Sequence, residues 1–145
     1  MKRRLSNEIL IHADADRVSR VIADAPRFFR CNPLVIAVDP EPGANGDARA
    51  YRVTDGLVVL GATFPFRYRV RTVPVEGGFD AEVWAPLATR LENRLRLLAR
   101  DGATLVCEEI EITAPGPLAF LIARMTATAH REMLVNLKRL AEEGA

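Results

Sequence analysis

The sequence predicts an α+β protein in which a curved antiparallel sheet of about seven strands packs against one long C-terminal helix. Three observations lead to this fold: a strand followed by two short helical segments, a long region of period-two alternation, and an apolar stripe at helical spacing near the C-terminus. The length of 145 residues is that of about one domain, and we expect residues 1–145 to form it.

The N-terminal segment is predicted to form one strand and two short helices. Leu5–Ile11 alternates between apolar and polar residues, which indicates a strand. The first helix is expected to begin at Asp14, whose side chain can cap the first turn. Its apolar stripe consists of Val18, Val21, Ile22 and Ala25. Pro26 suits the first turn of a second helix that reaches about Arg30, and Asn32–Pro33 ends it.

Alternation predicts about six strands in the middle of the chain. Their ranges are Leu34–Val38, Ala48–Leu60, Thr63–Val73, Phe79–Ala85, Thr89–Ala99 and Thr104–Thr113. Pro40 is expected to close the first of them, and Gly77–Gly78 and Asp101–Gly102 mark later turns. Asp55–Gly56 allows either a hairpin turn or a bulge in one long strand. We favour the bulge, because Gly61 offers the later turn.

The polar faces of the last four strands alternate in charge. They read basic, acidic, basic and acidic: Arg67, Arg69 and Arg71; Asp80 and Glu82; Arg94 and Arg96; Glu109 and Glu111. Opposite charges stabilise neighbouring antiparallel strands, so we expect these strands to form a meander with this face in water. An alternative is that the arginine stripe binds anions, but acidic partners are available on the next strand.

The last segment is predicted to be one long helix beginning at about Pro117. Its apolar stripe consists of Leu118, Ile122, Met125, Ala129, Met133, Leu137 and Leu140, and Gly144 can end it. About 27 residues at 1.5 Å each give roughly 40 Å, so the helix must run across the whole sheet. A sheet curled around such a helix leaves a tunnel between them unless large side chains fill it.

Composition and charge exclude several classes of protein. A net charge of +1 argues against a nucleic-acid binder. No charge-free apolar stretch approaches the roughly 20 residues of a transmembrane helix, and Glu8 interrupts any signal-peptide run. Cys31 and Cys107 fit neither a metal spacing nor a disulfide framework, so we expect reduced thiols in the cytoplasm. The sequence predicts no cofactor and no metal site.

Three short motifs accompany this order of elements: the run from Ile11 to Val18, Asp24 before the second helix, and Asn32–Pro33. With them, almost the whole chain resembles the START-like, or SRPBCC, helix-grip superfamily, close to its polyketide cyclase/dehydrase and lipid-binding members. The resemblance implies a cavity for a hydrophobic ligand between the sheet and the C-terminal helix. It implies no shared catalytic residue.

Large inward-facing side chains are the candidates for contact with such a ligand. They are Tyr51, Phe64, Phe66, Tyr68, Val83, Met125, Ala129 and Met133. The alternative is that they form ordinary core. The methionines suit a cavity that adapts to ligands of different shapes.

Asn93 and Glu108 fall on otherwise apolar strand faces. They lie on consecutive predicted strands and can come within two rows of each other. One interpretation is a polar handle that orients a ligand inside an apolar cavity. The interpretation that we favour is structural, with Glu108 at a bulge or at the rim of the sheet and paired with an arginine.

The two histidines are predicted to have different surroundings. His12 follows the first strand, where a structural role at the surface is expected. His130 lies beside the apolar stripe of the last helix, so it can face the edge of the cavity or the solvent. Two histidines so placed do not form a zinc site.

Three functions are compatible with these features. The leading hypothesis is binding of a small hydrophobic or aromatic ligand, such as a lipid, polyketide or isoprenoid. The second is a polyketide cyclase or dehydratase-type enzyme, whose candidate groups are Glu108, Tyr68, Asn93 and His130. The third is a protein-interaction or co-chaperone-like module. Exposure of Leu57–Leu60 favours this third function, and a filled core without a cavity favours it over the other two.

Overall fold

In a computed structural model that describes residues 1–43 and 45–143, without the side chain of Val59, strands and helices follow the predicted order. The strands are β1 (Lys2–Ile11), β2 (Val35–Glu41), β3 (Arg49–Val59), β4 (Ala62–Val75), β5 (Gly78–Ala85), β6 (Thr89–Arg100) and β7 (Ala103–Thr113). The helices are α1 (Ala15–Ala23), α2 (Ala25–Phe29) and α3 (Gly116–Glu143). The α+β prediction is therefore confirmed. Gly144, the predicted end of the last helix, lies outside the described residues.

All seven strands that the structure describes form one antiparallel sheet in the order β1-β7-β6-β5-β4-β3-β2. The predicted meander of the four charged strands is confirmed. Arg96 of β6 pairs with Asp80 of β5 at 2.8 Å, and Arg69 of β4 reaches Glu41 of β2 at 3.2 Å. Between neighbouring strands, Arg71 of β4 also lies 3.9 Å from Glu82 of β5, as opposite charges favour, whereas Arg69 reaches past β3 to the edge strand.

The edge strand β2 differs from its predicted range. It does not close at Pro40 but continues to Glu41, with Pro40 opposite Tyr51 of β3. The position in the sheet explains this difference. An edge strand tolerates a proline, because the missing N–H can lie on the side that has no neighbouring strand.

The irregularity expected at Asp55–Gly56 is found on a different strand. Asp55 and Gly56 lie inside β3, which pairs with β4 without interruption, so one long strand with its turn at Gly61 is confirmed, while the hairpin is wrong and the bulge does not lie on this strand. The register shift lies in β2, where Ile36 is the extra residue. A Cβ atom added to Gly56 would stand 3.2 Å from Cγ2 of Ile36 and 3.1 Å from Cγ2 of Thr63. Glycine at this position therefore makes room for the bulged side chain.

Local capping explains the two short helices. Asp14 Oδ1 accepts a hydrogen bond from the Arg17 N–H at 2.8 Å, as predicted for an N-cap. Asp24 caps α2 in the same way, so this helix begins at Ala25, one residue before the predicted start. These helices place Phe28 and Phe29 above the concave face of the sheet.

The long helix α3 is packed unevenly along its length. Its C-terminal half buries Met133 and Leu137 in a core with Ile11, Leu95 and other apolar residues of the sheet and α1. In its N-terminal half, by contrast, Met125 remains 36% exposed. The space beneath this half of the helix is a cavity, which Met125 lines.

Candidate functional site

A cavity of about 260 Å³ lies between the concave face of strands β3–β6, helix α2 and the N-terminal half of α3. Its walls are mainly apolar, with rings from Phe29, Phe66 and Phe79, and Leu87 and Leu121 lie where it opens. An engineered cavity of about 150 Å³ holds benzene. The volume here is therefore sufficient for a molecule of about two fused rings.

Most of the predicted site residues meet at this cavity, although their role in binding stays a prediction. Those that line it are Phe66, Tyr68, Val83, Asn93, Met125, Ala129 and Met133. Tyr51 does not line it but packs edge-on against Phe29, with ring centroids 5.4 Å apart. Phe64 is 54% exposed and lies outside the lining. It precedes Phe66 on the same strand face, but the cavity ends before it.

Glu108 lies below the cavity wall, and its surroundings differ from those that we favoured. It is 1% exposed and occupies an interior position of β7, opposite Leu95 of β6, so it lies at neither a bulge nor the rim. Its partners are not arginines. Asn93 Nδ2 donates to Oε2 at 2.8 Å, and Asn7 Nδ2 donates to Oε1 at 3.4 Å. His130 Nδ1 lies 2.9 Å from Oε2.

The hydrogen bonds at Glu108 define its charge and the tautomer of His130. Burial alone would raise the pKa of Glu108, but the charge of His130 and the bonds from His130, Asn93 and Asn7 outweigh it and lower the pKa. An ionised carboxylate only accepts hydrogen bonds, so Nδ1 of His130 carries the hydrogen. Because His130 lines the cavity, its Nε2 atom is the nitrogen available to a bound molecule.

A second carboxyl group, Asp55, also lines the cavity. The Tyr68 hydroxyl donates to Asp55 Oδ1 at 2.9 Å. Burial raises the pKa of Asp55, against the opposing effects of the Tyr68 hydrogen bond and the charge of His130. Burial and the neighbouring Asp55 carboxylate raise the pKa of Tyr68, which keeps the phenol neutral. Asp55, Tyr68 and His130 all line the same cavity.

Sequence reasoning missed Asp55 as a site residue, because an Asp–Gly pair reads as a turn. The signal was nevertheless present: Asp55 has the same alternation parity as Val53 and Leu57, which both line the cavity. Phe28 and Phe29 were also missed, because their contact with the sheet depends on how α2 is oriented.

The remaining predicted features lie elsewhere. His12 is exposed, and its backbone N–H donates to Glu142 at 2.9 Å, which agrees with a structural role. Val58 and Leu60 are exposed, as the interaction hypothesis requires, but the core beside them is not filled. Within the described residues, no group of three or more His, Cys, Asp or Glu side chains is arranged to hold a metal ion. No described helix is long and apolar enough to cross a membrane.

Comparison with known proteins finds similarity in structure. No protein-family model and no curated protein matches the sequence. Among solved structures, the Zhui aromatase/cyclase from Streptomyces sp. R1128 is similar, with a TM-score of 0.83 and 14% identity over 98% of this chain and 94% of that one. A START superfamily protein from Mycobacterium smegmatis has a TM-score of 0.73 and 16% identity, over 98% of this chain and 99% of that one. The protein TTHA0849 from Thermus thermophilus has a TM-score of 0.76 and 17% identity, over 99% of both chains. At these identities the likeness shows the fold.

Proposed function

We propose that this protein, which has the START-like helix-grip fold, binds a small hydrophobic or aromatic molecule between the sheet and α3. The observation that carries the proposal is the cavity of about 260 Å³ with mainly apolar walls. Candidate ligands are polyketide, isoprenoid or lipid molecules of about two fused rings in size. The proposed partner is thus a small molecule rather than a nucleic acid, and the free thiols of Cys31 and Cys107 suit a cytoplasmic location.

Filling the cavity tests this proposal directly. Ala129 is buried on α3 and lines the cavity, so the indole of Ala129→Trp would occupy the space of a ligand. We expect saturable binding of the neutral fluorescent dye 1-naphthylamine, which has two fused rings, to the wild type and its loss in this variant, with little change in Tm. The matched control is Val135→Trp, because Val135 is 53% exposed on the same helix and does not line the cavity.

The control should bind the dye like the wild type. If the space is instead close-packed core, Ala129→Trp is overpacking and should cost roughly 1–3 kcal/mol of stability or more. A wild type that shows no saturable dye binding, together with a strongly destabilised Ala129→Trp variant, would contradict the binding function. That outcome would favour the interaction function suggested by exposed Val58 and Leu60.

A second candidate function, acid–base catalysis on a bound ligand, is favoured by one specific arrangement. Glu108 accepts the Nδ1 hydrogen of His130 at 2.9 Å, which leaves Nε2 free to take a proton from a molecule in the cavity. The simplest such step removes a proton from the carbon beside a ketone. The C–H electron pair then forms the enolate, and the imidazolium returns a proton to the carbon.

This step can be measured without knowledge of the natural substrate. The probe is 2-tetralone, an apolar bicyclic ketone, whose exchange of α-hydrogens for deuterium in heavy water is followed by NMR. If the candidate is correct, the wild type accelerates exchange and His130→Gln lowers the acceleration by roughly 100-fold or more, while dye binding persists. His12→Gln is the control and should leave exchange unchanged. Equal exchange in the wild type and His130→Gln would exclude His130 as the base.

A further inference from the structure

The charged residues that line the cavity differ from those of the rest of the chain in that they include no lysine or arginine among the described residues. The sequence contains 20 lysine and arginine residues, yet none of those in the described residues lines the cavity. The basic side chains of the sheet, such as Arg69 and Arg96, instead pair with carboxylates on the opposite face. The cavity therefore has no permanently cationic side chain to bind an anion.

The polar end of the cavity, defined by Asp55, Tyr68, Asn93 and His130 with Glu108 behind them, is acidic. Glu108 and Asp55 are its two acidic groups, and His130 is the one side chain among these five that can carry a positive charge. Glu108 and His130 are paired with each other, with Nδ1 of His130 2.9 Å from Oε2 of Glu108. Asp55 has no cationic partner among the described residues and receives one hydrogen bond there, from Tyr68.

The hydrogen-bond donors that are paired at this polar end serve carboxylates of the protein. The Tyr68 hydroxyl donates to Asp55, and the Asn93 amide and His130 Nδ1 both serve Glu108. Acceptors remain: the Asp55 carboxylate, Nε2 of His130 when Nδ1 carries its only hydrogen, and Asn93 Oδ1, which is buried without a partner within the described residues. A ligand group that donates a hydrogen bond stabilises a buried acceptor. A ligand group that can only accept leaves both acceptors without a hydrogen bond, which lowers the affinity of that ligand.

We propose that the cavity selects apolar molecules whose polar end donates a hydrogen bond to Asp55, through a hydroxyl or an ammonium group, and excludes carboxylates and phosphates. This proposal rests on the proposed function of ligand binding and adds the chemistry of the ligand's polar end. A hydroxyl satisfies the Asp55 carboxylate as a neutral donor. An ammonium group also offsets its charge and can lie against the rings of Tyr68 and Phe66.

A series of naphthalenes that share one ring body but differ in one substituent tests the proposal. The probes are 2-naphthylmethylamine (a cation), 2-naphthol (a neutral donor), 2-methoxynaphthalene (neutral without a donor) and 2-naphthoate (an anion). Their affinities are measured near neutral pH by displacement of 1-naphthylamine. We expect the amine or the naphthol, or both, to bind at least tenfold more tightly than the naphthoate. The methoxy compound should fall between them.

Asp55→Asn assigns this preference to one carboxylate. It removes the charge but keeps a side chain of the same size that can accept from Tyr68. We expect the amine to lose at least tenfold in affinity and the methoxy compound to change less than twofold. Asp39→Asn is the control, because Asp39 is exposed on β2 and does not line the cavity. The control removes the same net charge and should change none of the four affinities.

The outcomes separate this inference from the proposed function. If none of the four naphthalenes displaces the dye or binds directly, the binding function itself fails. If they bind but the naphthoate is as tight as the amine and the naphthol, the inference is wrong while the binding function stands. The inference is also wrong, and the binding function still stands, if Asp55→Asn leaves the order of the four affinities unchanged. Should Asp55→Asn fail to fold, as its melting curve would show, the order of affinities in the wild type decides.

Discussion

The buried pair of Glu108 and His130 allows a quantitative prediction for His130→Phe. Phenylalanine can occupy the space of the imidazole beside the cavity but cannot donate to Glu108. The carboxylate then remains buried with only the amides of Asn93 and Asn7 as partners. Removing one member of a buried ion pair typically costs about 3–5 kcal/mol, because the other charge is left uncompensated.

The cost of protonating Glu108 limits this penalty, and the ordinary pKa of the carboxyl group gives a lower bound on that cost, because the folded pKa lies below it. Glu108 can escape an unpaired charge by taking up a proton, and its ordinary pKa is 4.5. Protonation at pH 7 then costs about 3.4 kcal/mol, since each pKa unit corresponds to about 1.36 kcal/mol. We therefore expect His130→Phe to lower the free energy of unfolding by about 3–5 kcal/mol. In a Glu108→Gln background, where no charge is left behind, the same change should cost only about 1 kcal/mol.

Urea unfolding of the wild type, both single variants and the double variant, followed by far-ultraviolet circular dichroism, measures this coupling. His12→Phe is the control, because His12 is exposed and its hydrogen bond to Glu142 comes from the backbone. It should change stability by less than about 0.5 kcal/mol. If His130→Phe costs the same in both backgrounds within about 0.5 kcal/mol, the two side chains are not coupled and the reasoning is refuted.

Three further predictions concern acid stability, the helix and the surface charges. The folded pKa of Glu108 lies below its ordinary value of 4.5, so its stabilising contribution is full above that value and is lost as the pH falls below it. The difference in urea stability between the wild type and Glu108→Gln should therefore shrink from about pH 6 to pH 3. A constant difference would contradict the lowered pKa. Truncation before Gly116 removes Met133 and other buried side chains, and the burial of each stabilises the fold by roughly 1.5–3 kcal/mol. Cooperative melting should therefore disappear. A truncated chain that melts cooperatively as a monomer would show that something else covers the sheet. Asp80→Asn breaks a partly exposed ion pair with Arg96, so it should lower the free energy of unfolding by less than about 1 kcal/mol, and by less still at high salt. A larger or salt-independent loss in urea unfolding would contradict the surface character of this pair.

The strands were predictable from sequence because the direction of a side chain in a strand is set locally. Tyr68 and Val70 point to the concave face and Arg69 to the other face because successive residues alternate. The end of β2 at Glu41 and the bulge at Ile36 were not predictable in this way. They depend on which strand lies at the edge of the sheet, and that is a property of the whole topology.

The candidate site was predictable to the same extent and for the same reason. Asn93 and Glu108 were recognised as inward-facing polar residues on neighbouring strands, and they do meet. That His130 completes their cluster depends on how α3 is rotated over the sheet, which strand alternation does not encode. Asp55 was hidden because a local turn signal, Asp–Gly, conflicts with the parity of the strand that contains it.

The uneven anchoring of α3 implies a gradient of amide protection along one helix. Around Leu137 the helix is held by a close-packed core, so its N–H groups should exchange with heavy water only when the whole protein unfolds. Around Leu121 and Met125 the helix covers the cavity, and fewer buried contacts resist fraying of its first turns. Those turns should open locally at a lower free energy than global unfolding, which gives a guest molecule a route to the interior while the rest of the fold stays intact. An occupied cavity would supply the missing contacts, and slower exchange in the first turns of α3 would then report occupancy.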